Sequence, residues 1–295
     1  MGVTTETDLT NAGQVTTLFD RAAQAMHTSP YRKGSIVQLP ATGRLLVTGD
    51  LHDNPEHLGK IVQLARLDAS ADHHVVLHEI IHSERLVNGV DLSHRMLARV
   101  AELIVAFPHQ VHVVLANHEL AQMTGQGVSK GAGNSVELFD AGLQYVFSDD
   151  WKAVSKSIKG LIRAMPLALR SESGLLCAHS LPAPRSMAQF DPGVLMRELA
   201  DTDYEPRTGS AYLMVWGRGH TPAQIEELAE GWGVNLFCLG HQHVEAGLAV
   251  HGERVVVLNS DHEAAAVLSV DLAHLPSTEE AAWAAIRLRG VPLGR

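Results

Sequence analysis

The chain has 295 residues, 45% of them hydrophobic and 19% charged, enough apolar content for a large buried core and too little polar tract for disorder. A formal net charge of −10 argues against a broad nucleic-acid-binding face, and two cysteines, Cys177 and Cys238, are too few for a disulfide framework. No apolar run reaches the ~20 residues of a membrane span, and the N-terminus lacks a basic start followed by an apolar stretch. These features together point to a globular, cytoplasmic chain.

Taken in order, residues 1–33 read as an N-terminal arm or first helix, with helical spacing around 15–26. Two short strands follow at 35–39 and 44–48, joined by the turn Pro40–Gly43, and the second runs into Asp50-Leu51-His52-Asp53-Asn54. Asn54-Pro55 opens a helix. A short apolar run at 74–77 ends in His78-Glu79-Ile80-Ile81-His82, and an amphipathic helix over 92–107 is stopped by Pro108. A strand at 111–115 leads into Ala116-Asn117-His118-Glu119.

Glycines 125, 127, 131 and 133 mark a loop into a helical insert, placed at about 124–165 and read as a cap on a domain spanning 34–295. Strands at 167–169 and 175–178 follow, the latter reaching His179. Helices are predicted at 192–200 and 221–230. A strand at 235–239 ends in Gly240-His241-Gln242-His243. Short strands at 247–250, 254–258 and 265–270 and a helical tail after Pro276 close the chain. Strands alternating with helices, then a strand-rich second half, indicate an α/β fold with mixed sheets.

The 18 histidines outnumber Phe, Tyr and Trp combined, and several stand where apolar runs end. In open α/β sheets ligands collect beyond the carboxyl ends of strands. Carboxylate, imidazole and amide oxygen in such a place suit hard or borderline divalent metals such as Mn, Fe or Zn.

In their order, DLH at 50–52, HEIIH at 78–82, ANHE at 116–119, the lone His179 and GHQH at 240–243 resemble the calcineurin-like metallophosphoesterases. That family's pattern is D-x-H, G-D-x-x-D, G-N-H-D/E, a single H, then G-H-x-H. The resemblance implies a four-layer α/β/β/α sandwich of two mixed sheets with helices outside. It also implies two divalent metals and hydrolysis of phosphate esters or anhydrides by a metal-bound hydroxide. Carried over by position, Asp50, His52, Glu79 and His243 would hold the first metal. Asp50 and Glu79 would bridge to a second, completed by Asn117, His179 and His241. His118 would be the general acid, and Asn259 would support the site.

The second motif departs from the pattern. Glu79 stands for an aspartate, and His82 for the carboxylate that orients the acid histidine in serine/threonine-phosphatase-like members. Ser83 stands for an arginine, and Arg85, two positions away, does not align with it. Asp53 stands where close relatives often have glycine, as a further acid behind the ligands. Arg218, in the segment WGRGH at 216–220, is a candidate phosphate-gripping residue, with Arg185 and Lys130 as weaker ones.

Two other readings compete. HEIIH spells the zinc-protease motif H-E-x-x-H, with His78 and His82 as helical ligands, Glu79 as base and Glu102 as a third ligand. A non-catalytic binding protein on the same fold is the other. The expected substrates are a phosphorylated small molecule, a nucleotide or a phosphoprotein. A long nucleic acid is disfavoured by the acidic balance and scarce aromatics.

Overall fold

The computed structural model describes residues 7–127, the backbone of 129–130, and residues 133–293. The first half contains α1 (Ala12–His27), β1 (Arg32–Lys33), β2 (Ile36–Leu39), β3 (Arg44–Asp50), α2 (Pro55–Ala65), β4 (His73–His78), α3 (His94–Ala106), β5 (Val111–Val114) and α4 (Asn117–Thr124). The middle contains β6 (Ser129–Lys130), β7 (Gly133–Asn134), α5 (Ser135–Phe147), α6 (Trp151–Ala164), β8 (Ala168–Ser171), β9 (Leu175–Ala178), α7 (Ser210–Val215) and α8 (Pro222–Trp232). Then come β10 (Leu236–Leu239), β11 (Leu248–His251), β12 (Val255–Leu258), β13 (Ala266–Asp271), α9 (Thr278–Ala284) and β14 (Ile286–Arg287).

Two mixed sheets form the centre, in the orders β1-β2-β8-β9-β10-β12-β11 and β14-β13-β3-β4-β5. The period-2 pattern of the strands explains how they stack. Leu45, Val47, Val76, Leu175, Cys177, Leu236, Cys238, Val256 and Leu258 belong to one apolar cluster between the sheets. Their strand neighbours Leu46, Val75, Leu77, Leu176, Ala178, Phe237, Leu239 and Val257 belong to another, shared with the helices. Strands buried on both faces therefore carry unbroken apolar runs, as sheets covered by helices require. Cys177 and Cys238 are register partners on β9 and β10, both free and buried in that inter-sheet layer.

Helix α1 is part of the helical layer. It buries Val15, Phe19 and Ala22 completely and packs against α3 and α6. The stretch read as an insert contains two helices, α5 and α6, separated by a 3-10 turn at Ser148–Asp150. No described residue of 124–165 lines the cavity shared by Asp50, Glu79 and His241. The predicted helix at 192–200 is replaced by two 3-10 turns, Pro192–Met196 and Asp201–Tyr204. Arg197, between them, explains the break: it pairs with Asp191 and Asp203 at 2.9 and 2.6 Å and holds the chain extended.

The parallel pairings β3–β4–β5 and β9–β10–β12 bring six carboxyl ends to one edge. The two sheets touch there through the isolated bridge between Asp50 and Asn259. Gly49 makes this approach possible, because a Cβ on it would run into the Leu258 carbonyl. The site is built at this seam.

Candidate metal centre

The loops that follow the strands are held in an unusual backbone. Of nine non-glycine residues with positive φ among the described residues, five belong here: His52, Asp53, Glu79, His82 and His241. Such conformations cost ~1–3 kcal/mol each and persist only where the surroundings impose them. The surroundings are visible. Leu51 and His52 donate their N–H groups to the Glu79 carbonyl at 3.0 and 2.9 Å, and Asp53 donates to Ile80 at 2.9 Å. The buried Glu119 accepts from the N–H groups of Ile80 and Ile81 at 2.7 and 3.1 Å. Burial and then the neighbouring Glu79 push the Glu119 carboxyl up to about 7.

Asp50 ends β3 and accepts from the His241 N–H through both carboxylate oxygens, at 3.0 and 2.9 Å. Glu79 faces two ways. Its Oε2 lies 3.1 Å from His52 Nε2, and its Oε1 lies 3.6 Å from His179 Nε2 while accepting from the His118 N–H at the start of α4. Asn117 Oδ1 is 2.6 Å from His179 Nε2 and 2.9 Å from His241 Nδ1, and those two nitrogens are 3.1 Å apart. His52 turns its other nitrogen to the Ile81 carbonyl at 3.2 Å, the orientation that steadies a ligating imidazole.

This donor set fits divalent metal. Bonds of ~2.0–2.2 Å from one ion place its ligands roughly 3 Å apart, which is the spacing observed among Asn117, His179 and His241. Asp50 and Glu79 are 4% and 2% exposed, and among the described residues no Lys or Arg pairs with either. Burial and then repulsion from Glu79 raise the Asp50 carboxyl above its usual range. Burial opposes ionisation of Glu79 as well, but His179, His52 and His118 around it outweigh burial and hold it well below its usual range. Burial and then His179 drive His241 down to about 2, leaving its lone pair available. Among the described residues the two buried carboxylates are thus offset by imidazoles alone, an arrangement that cations would complete.

The expected residues fall as follows. Asp50, His52, Glu79, Asn117, His118, His241, His243, Arg218 and Asn259 all line one cavity of about 640 Å³. His179 lies fully buried behind it. His243 is exposed at the cavity, its ring 5.2 Å from that of His262. Asn259 Oδ1 accepts from the Val244 N–H at 2.5 Å and fixes the loop that carries His241 and His243. Arg218 Nη2 stands 3.5 Å from His241 Nδ1. His82 contacts His118, their Nδ1 atoms 2.8 Å apart. Asp53 lies under Arg85, and burial raises its carboxyl despite that arginine.

Two expectations turn out differently, and a third falls outside what the structure describes. Arg185 does not line the cavity of the proposed ligands but an adjacent one, with Arg207, Tyr212 and Trp216. The Lys130 side chain lies outside the described residues. The HEIIH protease helix does not form. His78 ends strand β4, and positive φ at Glu79 and His82 sends the chain into an irregular loop. The two histidines then diverge, His78 grouping with Asp50 and His179 while His82 meets His118.

Several residues in or beside the cavity were given no part in this centre by the sequence reading. Arg85 lines it, donating to the carbonyls of His52 and Asp53. Glu84, Asp261 and His262 join it. Buried His78, with no hydrogen bond to either ring nitrogen among the described residues and a pKa pushed by burial and then His179 to about 3, packs against Asp50.

Among solved structures the chain resembles a protein serine/threonine phosphatase from Saccharomyces cerevisiae, with TM-score 0.63 and 15% identity over 88% of this chain and 83% of that one. It also resembles a cold-active protein-tyrosine phosphatase of a psychrophilic Shewanella, with TM-score 0.53 and 12% identity over 81% and 78%. At such identity these likenesses show the fold. No curated protein matches the sequence. The family model for calcineurin-like phosphoesterases matches residues 43–245, the stretch that carries every proposed ligand, and this chain belongs to that family.

Proposed function

We propose that the protein is a metal-dependent phosphatase with a dinuclear centre, hydrolysing phosphate esters or anhydrides. One observation carries this reading. Asn117, His179 and His241 converge on one point beside Glu79 Oε1, while Glu79 Oε2 turns to His52. In this reading Asp50, Glu79, His52 and His243 would hold one ion, and Asp50, Glu79, Asn117, His179 and His241 would hold the other. Two divalent ions, Mn, Fe or Zn, would lower the pKa of a water and offset charge on the phosphoryl oxygens.

The chain's own groups do the rest. Arg218 is exposed on the cavity wall, where its planar fork can hold two phosphoryl oxygens and set the phosphorus in line. Arg85 is tied to the carbonyls of His52 and Asp53, so it holds the ligand loop and adds positive charge at the same cavity. His118 Nε2 lies 4.0 Å from Glu79 Oε1, facing the place where a leaving oxygen would sit, and would give it a proton. The substrate class is a phosphorylated small molecule, a nucleotide or a phosphoprotein. No helix among the described residues is long and apolar enough to cross a membrane.

Phosphate release from p-nitrophenyl phosphate, bis-p-nitrophenyl phosphate, nucleotides and a phosphopeptide, with the metal-stripped protein reloaded by each metal, tests the reading. Turnover that returns with metal supports it. No release from any substrate with any of the three metals would overturn it and leave a binding protein on this fold.

A further inference from the structure

The polar groups behind His118 form a chain that ends on the insert. His118 Nδ1 is 2.8 Å from His82 Nδ1, His82 Nε2 is 3.0 Å from Gln122 Oε1, and Gln122 Nε2 donates to Asp140 Oδ1 at 2.8 Å. His82 and Gln122 are 1% and 2% exposed. Asp140 lies on α5. His82 is fixed further by its N–H donating to Ser93 Oγ at 3.0 Å, and its ring edge meets Phe139 at 5.7 Å.

We propose that Asp140, Gln122 and His82 are positioning residues that set the tautomer of His118, so that its Nε2 serves the cavity. The inference rests on the reading of His118 as the proton donor. Its logic starts at the far end. A carboxylate only accepts, so Asp140 fixes the Gln122 amide with its nitrogen outward and its oxygen toward His82. His82 Nε2 must then carry a proton. A neutral imidazole holds one N–H, so His82 Nδ1 is bare and accepts. His118 Nδ1 must donate to it.

The remaining nitrogen of His118, Nε2, is thereby reserved for the reaction. In the protonated ring, the Nε2–H bond breaks as the P–O bond to the leaving group breaks. The electron pair of that P–O bond stays on the leaving oxygen, which takes the proton. His118 ends neutral, still donating from Nδ1 to His82. A neutral imidazole thus supports the acid, and the insert is coupled to the reaction through Asp140.

Two measurements on the full-length, zinc-loaded protein test this. The first is long-range proton–nitrogen NMR of 15N-histidine-labelled protein at a pH where both rings are neutral. His82 is expected as the Nε2–H form and His118 as the Nδ1–H form. Asp140→Asn should release the amide and bring up a second His82 form. The opposite His82 tautomer in the unmodified protein, or no change in Asp140→Asn, overturns the proposal.

The second compares leaving groups in Gln122→Met, with His82→Phe as a companion. A good leaving group needs no proton, so turnover of 2,4-dinitrophenyl phosphate should fall less than about threefold while an alkyl phosphate loses ~10²-fold in kcat at unchanged KM. Equal losses for both substrates in a folded, metal-replete variant overturn the proposal. If the unmodified protein released no phosphate at all, the hydrolase reading would fall, and the NMR measurement would still decide the relay.

Discussion

Replacing His94 by leucine should remove part of the fold's sensitivity to acid. His94 lies on α3, 1% exposed, with its ring edge-on to Phe139 and Phe147 of α5 at 6.3 and 5.4 Å. Neither ring nitrogen has a hydrogen-bond partner among the described residues. Burial, and then Arg95, lowers its pKa from 6.5 to about 3. The folded state keeps this ring neutral where the unfolded chain takes up a proton. A depressed folded value means the stability is present above pH 6.5 and is lost as pH falls from there toward 3.

At pH ~5 the unfolded ring has gained ~1.5 log units of proton binding that the folded ring cannot follow, or ~2 kcal/mol. This figure hardly changes with the folded value, provided that value stays well under the assay pH. A chain of this length unfolds with an entropy of roughly 0.6 kcal/mol/K, so the effect is ~3 °C in Tm. Differential scanning calorimetry of wild type and His94→Leu, both metal-replete, at about pH 7.5 and pH 5 measures it. The variant should lose ~3 °C less on acidification. Equal losses would refute the argument that α5 seals His94 into an apolar environment.

Asn117→Ala and His241→Ala should each bind one metal fewer by elemental analysis and lose at least ~100-fold in kcat/KM. Arg218→Lys keeps the charge and loses the fork, so KM should rise several-fold while kcat holds within about twofold. Gly240→Ala would drive a Cβ into the Asp50 carboxylate and to 3.2 Å from His78 Nδ1. It should weaken metal affinity in a titration while leaving the circular dichroism spectrum unchanged.

Much of the site could be read in the sequence because each ligand follows an apolar strand. Asp50, Asn117, His179 and His241 stand within three residues of the ends of β3, β5, β9 and β10. The competing protease reading of HEIIH needs a helix, whereas the strand β4 runs through His78 and left-handed backbone at Glu79 and His82 turns the motif apart. Arg85 was discounted by linear alignment, but the loop folds back on itself through the Val87–Val90 bridge, and distance along the chain loses its meaning there. Arg185 follows the strand-end segment that carries His179, yet the 3-10 turn Pro184–Ser186 takes it to the neighbouring cavity. The relay behind His118 had a faint signal: His118 and Gln122 are four apart on α4, so they share a face. The contact with Asp140 depends on how α5 packs, which no local pattern encodes.

Anomalous diffraction from crystals of the manganese-loaded protein tests the central claim most directly. Two peaks are expected, one among Asp50, His52, Glu79 and His243 and one among Glu79, Asn117, His179 and His241. A single peak beside His78, Asp50 and His179, or no peak at this edge of the sheets, would contradict the dinuclear account.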